Sequence, residues 1–123
     1  MEITISLENN FKISDEALAD FKNMVKEGRC LGTLDHPEPT PSLMHTVYKV
    51  DEIKENVSGE LACDITILNN FEGNMFRELI QNNQNFFRFT PTGYCHKETN
   101  PETGEEETII DVITAITAIP NIR

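Results

Sequence analysis

The sequence contains no tryptophan, only three cysteines, and ten Lys and Arg against twenty-one Asp and Glu. Each shortage excludes something. Cys30, Cys63 and Cys95 are odd in number, widely spaced and without a Cys-x-x-Cys pair, which is not a disulfide framework. Joined with His36, His45 and His96 they make a poor metal site, because Cys95 and His96 are adjacent. Neither a metal nor a cofactor is expected. The lack of cations leaves a formal net charge of -11, which repels phosphate backbones, so direct nucleic-acid binding is not expected. No apolar run approaches the roughly 20 residues of a membrane span, and Met1–Ser6 lacks the basic and apolar regions of a signal peptide. With a mean hydropathy of -0.37, a soluble cytoplasmic protein is the expectation, with no membrane partner.

What is present is enough for one domain, taken as 1–123, with a single modest core. Glu2 to Leu7 alternates, with Ile3, Ile5 and Leu7 on one side, and predicts a half-buried strand. Ser14 is a good N-cap, Asp15 and Glu16 suit the positive end of the helix dipole, and Leu18, Phe21, Met24 and Val25 share a helical face. Gly28 is placed to end that helix. Ser42 to Val50 and Gly59 to Leu68 predict two strands of an antiparallel hairpin, joined by a polar turn over Asp51–Ser58. A second helix over Phe71–Ile80 would bury Phe71, Met75, Phe76, Leu79 and Ile80. A short aromatic strand, Phe86–Thr90, is followed by a turn at Pro91-Thr92-Gly93 and an exposed, acidic hairpin loop over His96–Glu107. Thr108–Ile119 is β-branched and apolar on both faces, as in a strand covered on both sides. The sum is an α+β domain on a mostly antiparallel sheet, flat or curled toward a barrel, with two short helices packed on it.

One stretch concentrates chemistry: Leu31-Gly32-Thr33-Leu34-Asp35-His36-Pro37-Glu38-Pro39. A histidine fixed beside prolines and two carboxylates is suited to general-base work, although such a stretch also serves as a plain Pro-rich connector. Following it are a strand with His45-Thr46-Val47, a strand with Gly59-Glu60-Leu61-Ala62, a helix carrying Leu79-Ile80, an aromatic strand ending at Gly93, and a closing β-branched strand. This succession, from Phe21 to Pro120, resembles the prohead core protein proteases of tailed phages. Those enzymes mature capsids by cutting the internal scaffold, and they carry a Leu-Gly-x-Leu-x-His-Pro loop and a Ser-Ser-Arg-Gly-x-Gly nucleophile segment. The resemblance implies that His36 is the counterpart of the catalytic histidine, presented by Gly32 and Leu34. It leaves the nucleophile unmatched. Anchoring on Gly93 puts Arg88 or Phe89 where the serines belong, and a slide of two residues offers Thr90.

Acyl transfer needs a hydroxyl beside a base and an oxyanion hole. Thr90 has the hydroxyl, but its β-methyl restricts its rotamers and Pro91 removes a backbone N–H. The expectation is therefore a phage-encoded, prohead-protease-like protein, catalytically inactive, with His36 and Thr90 as a remnant site. It would bind a protein partner through Asp35, Glu38 and Arg88. Partners on this reading are a phage scaffold or capsid protein or a host protein with a basic surface, with self-association left open and a location in the host cytoplasm or the virion. Three alternatives stand beside it. One is an active protease using His36 with Thr90. Another is an acidic inhibitor of a host nucleic-acid-binding or defence protein, in which Glu98, Glu102, Glu105, Glu106, Glu107 and Asp111 would cluster along one edge. The third is a small-molecule pocket lined by Phe71, Phe76, Phe86, Phe87, Phe89 and Tyr94. His45 reads as a surface histidine at the start of a strand that could at best orient His36, and His96, beside the loop, has no role.

Overall fold

The computed structural model describes residues 2–8, 11–34, 46–55, 60–83 and 85–121. Asp35, His36, Glu38 and His45 lie outside these residues, as does the first part of the strand expected over Ser42–Val50. The elements run β1 (Glu2–Ser6), β2 (Lys12–Ile13), α1 (Asp15–Lys26), β3 (Leu31–Leu34), β4 (Thr46–Glu55), β5 (Leu61–Ile67), α2 (Phe71–Asn82), β6 (Phe87–Thr99) and β7 (Glu106–Pro120). All seven strands belong to one sheet, ordered β1-β5-β4-β3-β7, with β2 continuing on the β3 side of β7 and β6 on its other side.

The sheet is mixed, so the expected antiparallel arrangement holds only in part. β1 with β5, β3 with β4, β4 with β5, and β6 with β7 are antiparallel, but β2 and β3 both run parallel to β7. The cause is α1, which carries the chain back after β2 so that β3 sets out in the same direction as β2 along the same edge. Ser14 caps α1 through a 3.1 Å hydrogen bond from the Ala17 N–H, and Gly28 closes it at a φ of 75°. Ala17, Phe21 and Val25 are its buried residues, and it lies against β7 and β4.

Three local expectations fail, each for a visible reason. Leu31–Leu34 is a central strand, because β4 and β7 supply backbone partners on both edges of β3. Asp51–Glu55 continues β4 past a bulge between Val50 and Glu52, its polar side chains outward and its backbone paired to β5. Pro91-Thr92-Gly93 does not turn; β6 runs on to Thr99 through bulges at Thr92/Gly93 and Tyr94/Cys95. The expected hairpin is present, but its loop is shorter than His96–Glu107: the strands pair through most of that stretch and the connection narrows to 100–105.

The core also departs from the reading of α2. Phe71 is 84% exposed and Met75 is exposed as well, whereas Phe76 and Ile80 are buried, so the buried stripe is narrower than expected. Phe76 stacks on Tyr48 at 5.5 Å between ring centroids and meets Phe87 at 5.0 Å and Phe89 at 6.3 Å. Phe71 and Tyr94 take no part in this cluster and face outward, which leaves the supposed small-molecule pocket without two of its walls. The expectation of a doubly covered closing strand is met over Ala115–Ala118, four consecutive buried residues of β7.

Candidate functional site

β1 ends the sheet path on one side, β6 pairs with β7 off that path, and the two strands meet at one point. Leu7 and Phe89 form an isolated parallel bridge, and the Glu8 N–H donates to the Phe89 carbonyl at 2.9 Å. On the Phe87 side of that bridge the strands diverge and leave a groove of about 790 Å³, lined by Ile3 to Glu8, by Ile80 and Gln81 of α2, and by Phe87 to Phe89. The sheet is therefore open.

Which backbone groups face the groove follows from strand alternation. The Leu7 N–H bonds inward to Leu61 of the β5 side at 2.9 Å, while the Glu8 N–H points outward to Phe89. Thr4 and Ser6 share the parity of Glu8, so their N–H and C=O groups point at the groove. On β6 the Phe89 carbonyl points outward, and Phe87 and Pro91 share its parity. Pro91 thus places its missing N–H on the sheet edge, where it breaks no ladder bond. A feature that sequence read as a turn is an edge-strand proline.

Arg88 and Thr90 sit on β6, two residues apart on one face. The Arg88 guanidinium lies 3.4 Å from the Glu8 carboxylate, and that Glu8 Oε1 is buried without a hydrogen bond. Thr90 is half-buried and pairs across the ladder with Thr117, which in turn pairs with Thr33 of β3. Thr90 is thus two strands from Thr33, at a spacing of roughly 10 Å. The last described residue before Asp35 is Leu34, level with Ala118 and through it with Phe89.

Beside Thr90 runs a hydroxyl chain that sequence reading missed. Thr33 Oγ1 lies 2.9 Å from Thr117 Oγ1, which lies 2.7 Å from Thr92 Oγ1, and all three residues are buried. It ties β3, β7 and β6 together with satisfied polar groups. No periodicity could reveal it, since the three residues meet only through sheet register.

Gly32 and Gly93, the two glycines of the resemblance, have packing roles. A Cβ on Gly32 would lie 1.9 Å from Tyr48 Cε2, because the ring of the fully buried Tyr48 crosses the β3 backbone and its hydroxyl donates to the Ile116 carbonyl at 2.9 Å. A Cβ on Gly93 would lie 1.9 Å from the Val112 carbonyl oxygen at the β6–β7 bulge.

At the other end of the hairpin, His96 is held between two carboxylates. Its Nδ1 lies 2.7 Å from Asp111 and its Nε2 2.9 Å from Glu98. Those hydrogen bonds, Asp111 first and Glu98 second, raise the imidazole pKa above the usual histidine value. A group raised in the folded state contributes stability below its unfolded pKa and loses that contribution as pH rises through the folded pKa. We expect the His96 ring to titrate above 6.5 by NMR, with Asp111→Asn lowering the midpoint more than Glu98→Gln. An unchanged midpoint in both variants would contradict the geometry. The i, i+2 spacing of His96 and Glu98 was legible in sequence; the approach of Asp111 was not.

The cysteines divide by burial. Desolvation first, and the neighbouring Cys63 second, push the Cys30 thiol up to about 12; desolvation and then Asp64 push Cys63 to about 12. Both side chains are buried, whereas Cys95 is exposed. Among the described residues no group of three or more His, Cys, Asp or Glu could hold a metal ion, and no helix is long and apolar enough to cross a membrane. Compared with family models, with curated proteins and with solved structures, the chain matches none.

Proposed function

We propose that this chain is a prohead-protease-like protein that does not hydrolyse peptides and acts by binding a protein partner, in capsid assembly or in the host cytoplasm. On this reading the sheet is a barrel lacking one stave, and His36 and Thr90 are the remnant of a site. The observation that carries the proposal is the state of Phe87–Gly93, the segment where the resemblance would place a nucleophile. It is a strand laddered to β7, and it holds no serine. Its two hydroxyls are those of Thr90 and Thr92. Thr92 Oγ1 is engaged with Thr117, and Thr90 is followed by Pro91, which has no N–H to offer an oxyanion. What remains available beside them is backbone at two open strand edges, which suits binding.

The test is incubation with casein and with scaffold-type peptides, read by mass spectrometry. The expected result is no cleavage above background for the wild type, for His36→Ala or for Thr90→Ala. Hydrolysis by the wild type that disappears in both variants would replace this reading with a Thr-dependent protease.

The acidic-inhibitor reading keeps one supporting observation. Glu98, Glu102, Glu105, Glu106, Glu107 and Asp111 all fall on the far end of the β6–β7 hairpin, against Lys97 and His96. A basic partner captured by the wild type and released by charge-neutralising substitutions there would favour it.

A further inference from the structure

We infer that the groove between β1 and β6 takes an extended segment of a partner protein that alternates apolar and basic residues, inserted as the missing strand. This deepens the protein-binding reading and rests on it. Among the described residues two strand edges face the same space: by strand parity the Thr4 N–H and C=O and the Ser6 N–H of β1 on one side, and the Phe87 N–H and C=O of β6 on the other, the Ser6 carbonyl being engaged at the Leu7–Phe89 bridge. Among the described residues no strand pairs with the outer edge of β1 over Glu2–Ser6. Such edges are templates for strand addition. Because β1 and β6 run parallel where they touch, one strand can lie antiparallel to both, the better hydrogen-bonding geometry. Pro91, on the far side of the Leu7–Phe89 contact, withholds a donor and confines pairing to the Phe87 side.

The side-chain chemistry of the occupant follows from the two faces of β1. Inward, Ile5, Phe87 and Phe89 are buried and apolar, so the inserted strand must present apolar side chains on that side. Outward, Thr4 is level with Asp64 in the ladder, and the groove adjoins a hollow lined by Glu2, Asp51, Glu52 and Asp64 with Lys54 as its cation. Asp64 is already held by Thr4 at 2.6 Å and Lys54 at 3.0 Å, and Arg88 of the groove is ion-paired to Glu8, so an outward-facing lysine or arginine next to β1 would lie beside Glu2. Glu8 Oε1, at the groove, makes no hydrogen bond and lies 3.4 Å from the Arg88 guanidinium, so the two charges there offset each other. A second copy of the chain is disfavoured as occupant, since each copy carries -11.

The experiment uses the full chain and three synthetic octapeptides: one alternating valine and lysine, one with the same residues in two blocks, and one alternating but N-methylated at every second amide. Fluorescence anisotropy gives affinities, and amide hydrogen exchange gives location. The alternating peptide is expected to bind and to slow exchange at Thr4, Ser6 and Phe87. The other two should bind about tenfold more weakly, the N-methylated peptide through loss of one or more backbone hydrogen bonds and the block peptide because half of its strand would turn lysines toward the apolar side. Ser6→Pro removes an outward donor without touching the β1–β5 ladder, and should weaken the alternating peptide by about the same factor. Its circular dichroism reports whether the variant is folded, and the N-methylated peptide tests the same bond should it not be. Equal affinity for all three peptides, or protection elsewhere on the surface, would overturn the inference. So would self-association of the chain that Ser6→Pro abolishes, which would make a second copy the occupant. Cleavage of a bound peptide would instead overturn the non-hydrolytic reading and leave the groove standing. An intact peptide that does not bind would do the reverse.

Discussion

Gly32→Ala is expected to destabilise the fold by about 3 kcal/mol, more than a surface substitution would and near the upper range for overpacking. The added methyl would enter the Tyr48 ring at 1.9 Å. That ring has nowhere to go. It is fully buried, stacked on Phe76, edge-on to Phe89 at 6.2 Å, and held by the bond from its hydroxyl to the Ile116 carbonyl. Moving it would strand a buried hydroxyl as well as disturb the aromatic cluster. The measurement is urea unfolding of four proteins: wild type, Gly32→Ala, Tyr48→Ala and the double variant. If the ring is the obstacle, Gly32→Ala should cost less than about 1 kcal/mol once Tyr48 is alanine. Undiminished cost in that background would place the strain in the β3 backbone instead.

Phe76→Ala is expected to cost about 4 kcal/mol, in the range for emptying a buried aromatic site. Phe76 is fully buried and is the residue of α2 that reaches Tyr48, Phe87 and Phe89 together. Its loss would leave α2 held chiefly by Ile80 and the partly buried Leu79. A denaturation midpoint lowered far more by Phe76→Ala than by Phe71→Ala is the outcome to look for, since Phe71 is exposed. Similar losses for both would mean that Phe71 is covered in solution. Because Ile80 and Gln81 of α2 also line the groove, Phe76→Ala should loosen peptide binding too.

Both predictions concern residues whose importance comes from the partner across the sheet. The local pattern of α1 was readable: a serine cap, acidic first turn, a stripe of apolar residues and a terminal glycine each act within a few residues. The β4–β5 hairpin was readable for the same reason, since alternation shows which face of each strand is buried. The doubly buried end of β7 was visible in a β-branched stretch with apolar residues on both faces. By contrast β3 looked like a connector, because four residues with a glycine carry too little pattern; it is a strand only since β4 and β7 flank it. Pro91 looked like a turn, because sequence cannot say which edge of a strand a missing N–H will face.

By itself the sequence determined the mixed class of elements, the two helices and the caps of α1, the acidity, and the lack of a serine where the resemblance wants one. These depend on neighbours along the chain or on composition. Tertiary structure decided the strand order, the parallel seams made by α1, the threonine chain through Thr117, the seat of Tyr48 over Gly32, and the groove between β1 and β6. Each of these joins residues far apart in the chain, so each depends on which strands pair and in what register, a choice made by the packing of the whole sheet.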